Sequence, residues 1–189
     1  MTLALFSERL SLTPVEVADV DLAIEMLTDP AAMRFVAEVM SEAEIRRDMP
    51  LWTKRGGDGC IGIWCIADRT TGEKYGSGFL LPMPVEEVDT DWDLVVPGVL
   101  PDGDVEIGYC LKQDAWGRGY ATEVCRRLLR FAFEETPLEE IVATLDDRHE
   151  ASKRVLAKSG LTCRGRRLAY GQDGPDWRIT KAEWKALHG

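Results

Sequence analysis

Between Val105 and Glu134 the hydrophobic pattern changes period across two glycines, and this change limits the fold more than any other part of the chain. Asp104 to Leu111 (DVEIGYCL) reads as a strand. From Tyr120 to Glu134, Ala121, Val124, Cys125, Leu128, Leu129 and Ala132 share one helical face, while Arg126, Arg127 and Arg130 project elsewhere. Gly117 and Gly119 lie between the two elements. Glycine lets a backbone approach an anion closely, and the first turn of a helix presents unpaired N–H groups at a partly positive end. The segment is therefore a candidate phosphate cradle, and a tight loop with no ligand is the simpler alternative. Two familiar cradles do not fit. The dinucleotide fingerprint needs a glycine where Thr122 stands, and the P-loop needs a Gly-Lys-Ser/Thr ending that the chain lacks.

The elements around this unit alternate in type. Glu8 to Pro14 alternates as a first strand. A helix is expected over Asp19–Leu27, and a short second one over Ala31–Val39. A third runs from a Ser41/Glu44 capping-box pattern toward Lys54 and is stopped by Gly56-Gly57. Cys60 to Asp68 and Lys74 to Leu81 read as strands joined tightly through Thr70-Thr71-Gly72. Beyond the central helix come a strand over Ile141–Leu145 and a short helix over Glu150–Lys158, with Asp147 and Glu150 at capping spacing. Strands over Thr162–Tyr170 and Trp177–Ile179 follow, then a closing helical turn capped by Thr180 and Glu183. This order predicts one α/β domain over residues 1–189, with a mixed, partly parallel sheet of about seven strands and helices on both faces.

An acidic loop, residues 82–104, is inserted before the Asp104 strand. It carries Glu86, Glu87, Asp89, Asp91, Asp93, Asp102 and Asp104, with no Lys or Arg among them. A stretch of that length without an element is often functional or mobile, and a solvated surface loop is the simpler reading. The whole chain has a net charge of -10, which argues against nucleic-acid binding and permits a cationic partner. No run approaches the roughly 20 apolar residues of a membrane span. The N-terminus has no basic region ahead of an apolar stretch, so the expected location is the cytoplasm. The cysteines, Cys60, Cys65, Cys110, Cys125 and Cys163, form no CxxC pair and read as free buried thiols. No metal is expected, because His149 and His188 lie apart from any cysteine cluster.

On these residues the chain resembles the GNAT N-acetyltransferase superfamily. The loop motif of that family, Gln/Arg-x-x-Gly-x-Gly/Ala, is matched over Trp116 to Ala121 at Gly119 and Ala121, with Trp116 in place of Gln/Arg. The spelling Trp-Gly-x-Gly-Tyr-Ala-Thr-Glu, residues 116–123, is similar to the ribosomal-protein N-terminal acetyltransferase (RimJ/RimL) branch. Glu106-Ile-Gly-Tyr109 resembles the fourth-strand signature of that branch. Ala151 to Gly160 resembles its Ala-Ser-x-Arg-Val-Leu-x-Lys-x-Gly helix, Thr180 to Trp184 its closing segment, and Asp29 to Arg34 its early helix. Where the family usually has Asn, three residues before Ser152, this chain has His149.

The resemblance implies acetyl-CoA as co-substrate and direct attack of a neutral amine on the thioester. The residues it places around the cofactor are Tyr109, Cys110, Leu111, Trp116, Gly117, Arg118, Gly119, Tyr120, Ala121, Thr122, His149 and Ser152. Arg118 is expected to face phosphate. Glu106 is the candidate base, and the backbone N–H of Cys110 the candidate oxyanion donor. Ser152, or else Tyr109, is the candidate donor of a proton to the thiolate. The acceptor is expected to be a primary amine, either a protein N-terminus or a small cationic amine such as a polyamine or aminoglycoside. A catalytically silent acyl-CoA-binding module is the alternative class, and a homodimer is left open.

Overall fold

Alternating apolar residues build a sheet whose larger half is an antiparallel ladder. In the computed structural model, which describes residues 3–188, strands β1 (Leu5–Phe6), β2 (Leu10–Pro14), β3 (Gly62–Asp68), β4 (Lys74–Pro82) and β5 (Val105–Leu111) pair successively. Strand β6 (Glu140–Ala143) lies parallel to β5, and the β7 (Thr162–Ala169)–β8 (Gln172–Thr180) hairpin completes the order β1-β2-β3-β4-β5-β6-β8-β7.

Successive side chains of a strand point to opposite faces, so each face needs its own helices. Trp64 of β3 is fully buried, edge-on to Phe131 with ring centroids 5.7 Å apart. Phe131 belongs to α4 (Tyr120–Glu135), whose stripe of Val124, Cys125, Leu128, Leu129 and Ala132 is buried as its periodicity predicts. Cutting a ring this buried back to alanine costs about 3–5 kcal/mol in typical cores. Cys65, the next residue of β3, points the other way. With Cys110 it packs on Leu22 and Met26 of α1 (Val20–Leu27). Helix α3 (Glu42–Trp52) packs on α1 through Ile45 and Met49. The mixed sheet with helices on both faces is thus as expected.

Several boundaries differ for physical reasons. The sheet has eight strands, because β1 adds a two-residue rung. Helix α2 covers only Pro30–Met33: Asp29 caps it by accepting from the Ala31 N–H at 2.9 Å, but Val36 and Val39 beyond it are exposed and have no face to bury. Helix α3 ends at Trp52, ahead of the glycines expected to stop it. The Ser41/Glu44 and Thr180/Glu183 capping boxes both form, the latter opening α6 (Lys181–His188). Helix α5 (Glu150–Lys158) lies where expected, but Asp147 does not cap it: His149 holds the N-cap position, and Asp147 pairs with Arg166 at 2.9 Å. The acidic segment is pinned rather than solvated throughout. A 3-10 turn over Trp92–Leu94 buries Trp92, Thr90 and Val95 are buried beside it, and the Gly57 N–H bonds to both Val96 and Val99.

Candidate active site

The site begins where β5 and β6 part. These parallel strands share a single bridge, Glu106 with Val142. β6 ends one residue later and β5 continues to Leu111, so a cleft opens at the C-terminal ends of the two strands, the usual place for a ligand in an open α/β sheet. On its other side β5 is fully paired with β4, in unbroken register from Gly76–Leu111 to Pro82–Val105.

That register decides which amides face the cleft. Along an antiparallel ladder alternate residues turn both backbone groups toward the same neighbour. The Lys112 N–H bonds to Tyr75, and the Asp104 carbonyl accepts from Met83. Even-numbered residues of β5 therefore bond to β4, and Cys110 faces Ser77. This corrects the expectation for the Cys110 amide. Its N–H is turned into the ladder, and the amides turned toward the cleft beyond the bridge are those of Tyr109 and Leu111. The Leu111 carbonyl on this side accepts from the Trp116 indole Nε1 at 2.8 Å.

The same alternation sends Glu106, Gly108 and Cys110 to the α1 face, and Tyr109 to the α4 face. Gly108 has no side chain because the Phe79 ring occupies its Cβ position, laying an aromatic floor between Glu106 and Cys110. Glu106 is 4% exposed. Burial pushes its carboxyl from the ordinary 4.5 up to about 7, opposed by the Tyr170 hydroxyl that donates to it and by Arg167, and reinforced by Asp89. On the opposite face the Tyr109 Oη lies 2.9 Å from the Ser152 Oγ in the first turn of α5, so the two candidate proton donors are one hydrogen-bonded pair. Burial raises the Tyr109 phenol and keeps it protonated, and it lifts the Cys110 thiol to about 11, which leaves that sulfur a poor nucleophile.

The glycine loop forms the other end of the cleft. Gly117 and Gly119 adopt φ of 72° and 81°. Gly119 is the N-cap of α4, and the first bond of that helix runs from Glu123 N–H to Gly119. The amides of residues 117–122 donate to no backbone oxygen among the described residues. The space beside Gly117 is open. Donors, dipole and room thus meet the requirements of a phosphate cradle. The Arg118 guanidinium lies over the rings of Tyr120 and Tyr75 at the loop's margin. His149 is half-buried and stacks on Phe35 with centroids 4.9 Å apart, and its basicity is lowered by burial.

Four residues of the site were not legible in the sequence. Arg9 donates to the Arg118 carbonyl and pairs with Glu123 at 2.6 Å, tying β2 to the loop. Phe35 and Phe79 had no motif. Tyr170 sits between two strands beside Gly171, a pair without the Asn-Gly signature of such turns. Among the described residues no cluster of three His, Cys, Asp or Glu could hold a metal, and no helix is long and apolar enough to cross a membrane.

Comparison with known proteins agrees with this geometry. A family model described as an acetyltransferase (GNAT) domain matches residues 9–162. The uncharacterised protein YkkB of Bacillus subtilis is 27% identical over 83% of this chain and 84% of its own. The FsC-acetyl coenzyme A-N(2)-transacetylase of Aspergillus fumigatus is 28% identical over 84% of this chain and 64% of its own. Among solved structures, a GNAT-family acetyltransferase from Bacillus anthracis superposes with a TM-score of 0.73 at 18% identity, over 95% of this chain and 99% of that one. The aminoglycoside acetyltransferase AAC(6')-Ib in complex with coenzyme A gives 0.73 at 14%, over 95% and 99%. The ribosomal L7/L12 alpha-N-protein acetyltransferase RimL gives 0.66 at 15%, over 92% and 95%. At these identities the structures speak for the fold.

Proposed function

The chain belongs to the GNAT acetyltransferase family, and from that membership we propose that it transfers the acetyl group of acetyl-CoA directly to a primary amine in the β5–β6 cleft. The observation that carries this reading is the conjunction, along one short strand, of a buried carboxyl, cleft-facing amides and a tyrosine–serine pair, with six loop amides at the strand's far end that have no backbone partner among the described residues. In this reading the amides of residues 117–122 take the pyrophosphate, with Trp116 and Arg118 at the loop's rim and His149 beside the pantetheine arm. The amine reaches the thioester from the Phe79 side.

Each chemical requirement then has a residue. Glu106, with a pKa near that of neutral solution, takes the proton the amine must lose; an ordinary surface carboxylate would be too weak a base. The Tyr109 amide, supported by that of Leu111, donates to the carbonyl oxygen as the amine nitrogen bonds to the carbonyl carbon. The C–S bond breaks, and the departing thiolate takes a proton from the Tyr109–Ser152 pair. Holding both reactants in one cleft supplies the rest.

For the acceptor we infer a protein N-terminal amine, as the RimJ/RimL-like motifs suggest. A second reading, a small cationic amine, is favoured by Asp89 beside Glu106 and by the acidity of the adjoining segment. Release of CoA thiol, measured with peptides, polyamines and aminoglycosides as acceptors, tests both. Turnover on peptides supports the first and turnover on polyamines or aminoglycosides the second. Acetyl-CoA binding with no turnover on any of them would leave a binding module.

A further inference from the structure

The β7–β8 hairpin turns through Tyr170 and Gly171, and Tyr170 is the one residue other than glycine with positive φ among those described, at 54°. A two-residue turn with both central φ positive is made with least strain by Asn-Gly or Gly-Gly. A tyrosine there is held in a strained backbone conformation, so its side chain must do something the turn does not need. Its hydroxyl donates to the buried Glu106 carboxyl. Its backbone N–H bonds to Pro84 at 3.2 Å, and that of Gly171 bonds to Val85 at 2.9 Å, which fastens the turn to the root of the acidic segment. We propose that Tyr170 is a positioning residue for acetyl transfer: held in a left-handed backbone position, it fixes the Glu106 carboxyl through its hydroxyl, while the backbone N–H groups of its turn seat the acidic segment against the acceptor side of the cleft.

The surroundings of Glu106 leave this role to Tyr170. Its register partners, Leu81 on β4 and Val142 on β6, are apolar and buried. Of the charged groups near it, Arg167 on β7 is engaged by Asp104 and Asp176, and Asp89 in the acidic segment repels it. The Tyr170 hydroxyl is the donor that reaches the carboxyl. It stabilises the charged form and holds the group in one orientation, and the base needs both when the amine arrives.

The proposal rests on Glu106 as the base, and the test separates the two. Tyr170→Phe keeps the ring and removes the hydroxyl. At saturating acetyl-CoA, the alkaline-rising limb of kcat/KM for the acceptor should move up by about one pH unit, the size expected for one lost charge-assisted hydrogen bond. kcat should fall about tenfold with the KM for acetyl-CoA unchanged. Tyr170→Asn, which relieves the backbone, should fold and show the same kinetic loss. The double variant with Glu106→Gln should be no slower than Glu106→Gln alone. A Tyr170→Phe enzyme whose limb stays in place overturns the proposal, whether or not its rate falls, and so does a Tyr170→Asn enzyme with wild-type kinetics. If Glu106→Gln itself keeps the wild-type rate and limb, the base assignment fails instead.

Discussion

Replacing Glu106 by Gln should change the dependence of stability on pH in a calculable way, before any substrate is added. Burial raises this carboxyl from 4.5 to about 7 in the folded chain. The folded state therefore favours the protonated form. The stability this confers is complete below the unfolded value and is lost as pH rises through the folded one. Relative to a neutral glutamine, the wild type should lose about 3 kcal/mol in total, of which about 2 kcal/mol falls between pH 5.5 and 8.5. Glutamine keeps an oxygen to accept from Tyr170, so the packing is little disturbed. Urea unfolding of both proteins at these two pH values, followed by tryptophan fluorescence, gives the difference directly. The variant should gain on the wild type as pH rises, while its kcat drops about a hundredfold or more, as expected for loss of a general base. A stability difference independent of pH would refute the reasoning, because it would mean that Glu106 ionises as an exposed carboxylate does.

Acetyl-CoA at a hundred times its Kd should stabilise the wild type by about 2.7 kcal/mol, and Gly119→Val should abolish that thermal shift, since a β-branched side chain resists φ of 81°; a variant that folds and still responds to the ligand places the cradle elsewhere. If the Tyr109–Ser152 pair protonates the leaving group as proposed, Ser152→Ala should lower kcat far more than it raises the KM for acetyl-CoA; unchanged turnover would leave the serine a helix-start hydroxyl. Asp89→Asn should raise KM for a cationic acceptor and shift the pH limb of Glu106 downward, since Asp89 is one of the groups that raise it. Unaltered KM and pH limb would show that the acidic segment exerts no field on the acceptor.

What was legible in the sequence was local. The strand–glycine–helix unit is specified by residues close in the chain, so the glycine loop and the face of α4 could be read from spacing alone. The capping boxes at Ser41 and Thr180 are equally local. The parting of β5 and β6 is not, because it depends on which of two distant strands ends first. The identity of the cleft-facing amide depends in turn on the β4–β5 register, so Tyr109 could not be told from Cys110 without it. Tyr170 was hidden for a different reason. Its value lies in a hydroxyl that meets Glu106 across 64 positions of sequence, and its local signature breaks the usual turn rule.

The order of the strands also bears on how the molecule behaves among its own copies. An open sheet has two outer rims where another chain can add a strand, and unguarded rims promote aggregation. Here one rim is β1, too short at two residues to template a neighbour. The other is β7, which carries Arg164, Arg166 and Arg167, and whose pairing slips between Cys163 and Arg166. Both are poor seeds for edge-to-edge growth. The stretch of β5 beyond its bridge to β6 is left without a strand partner on that side, but it lies within the sheet and not at a rim. The fold thus leaves neither outer rim as a template for a second copy of the chain.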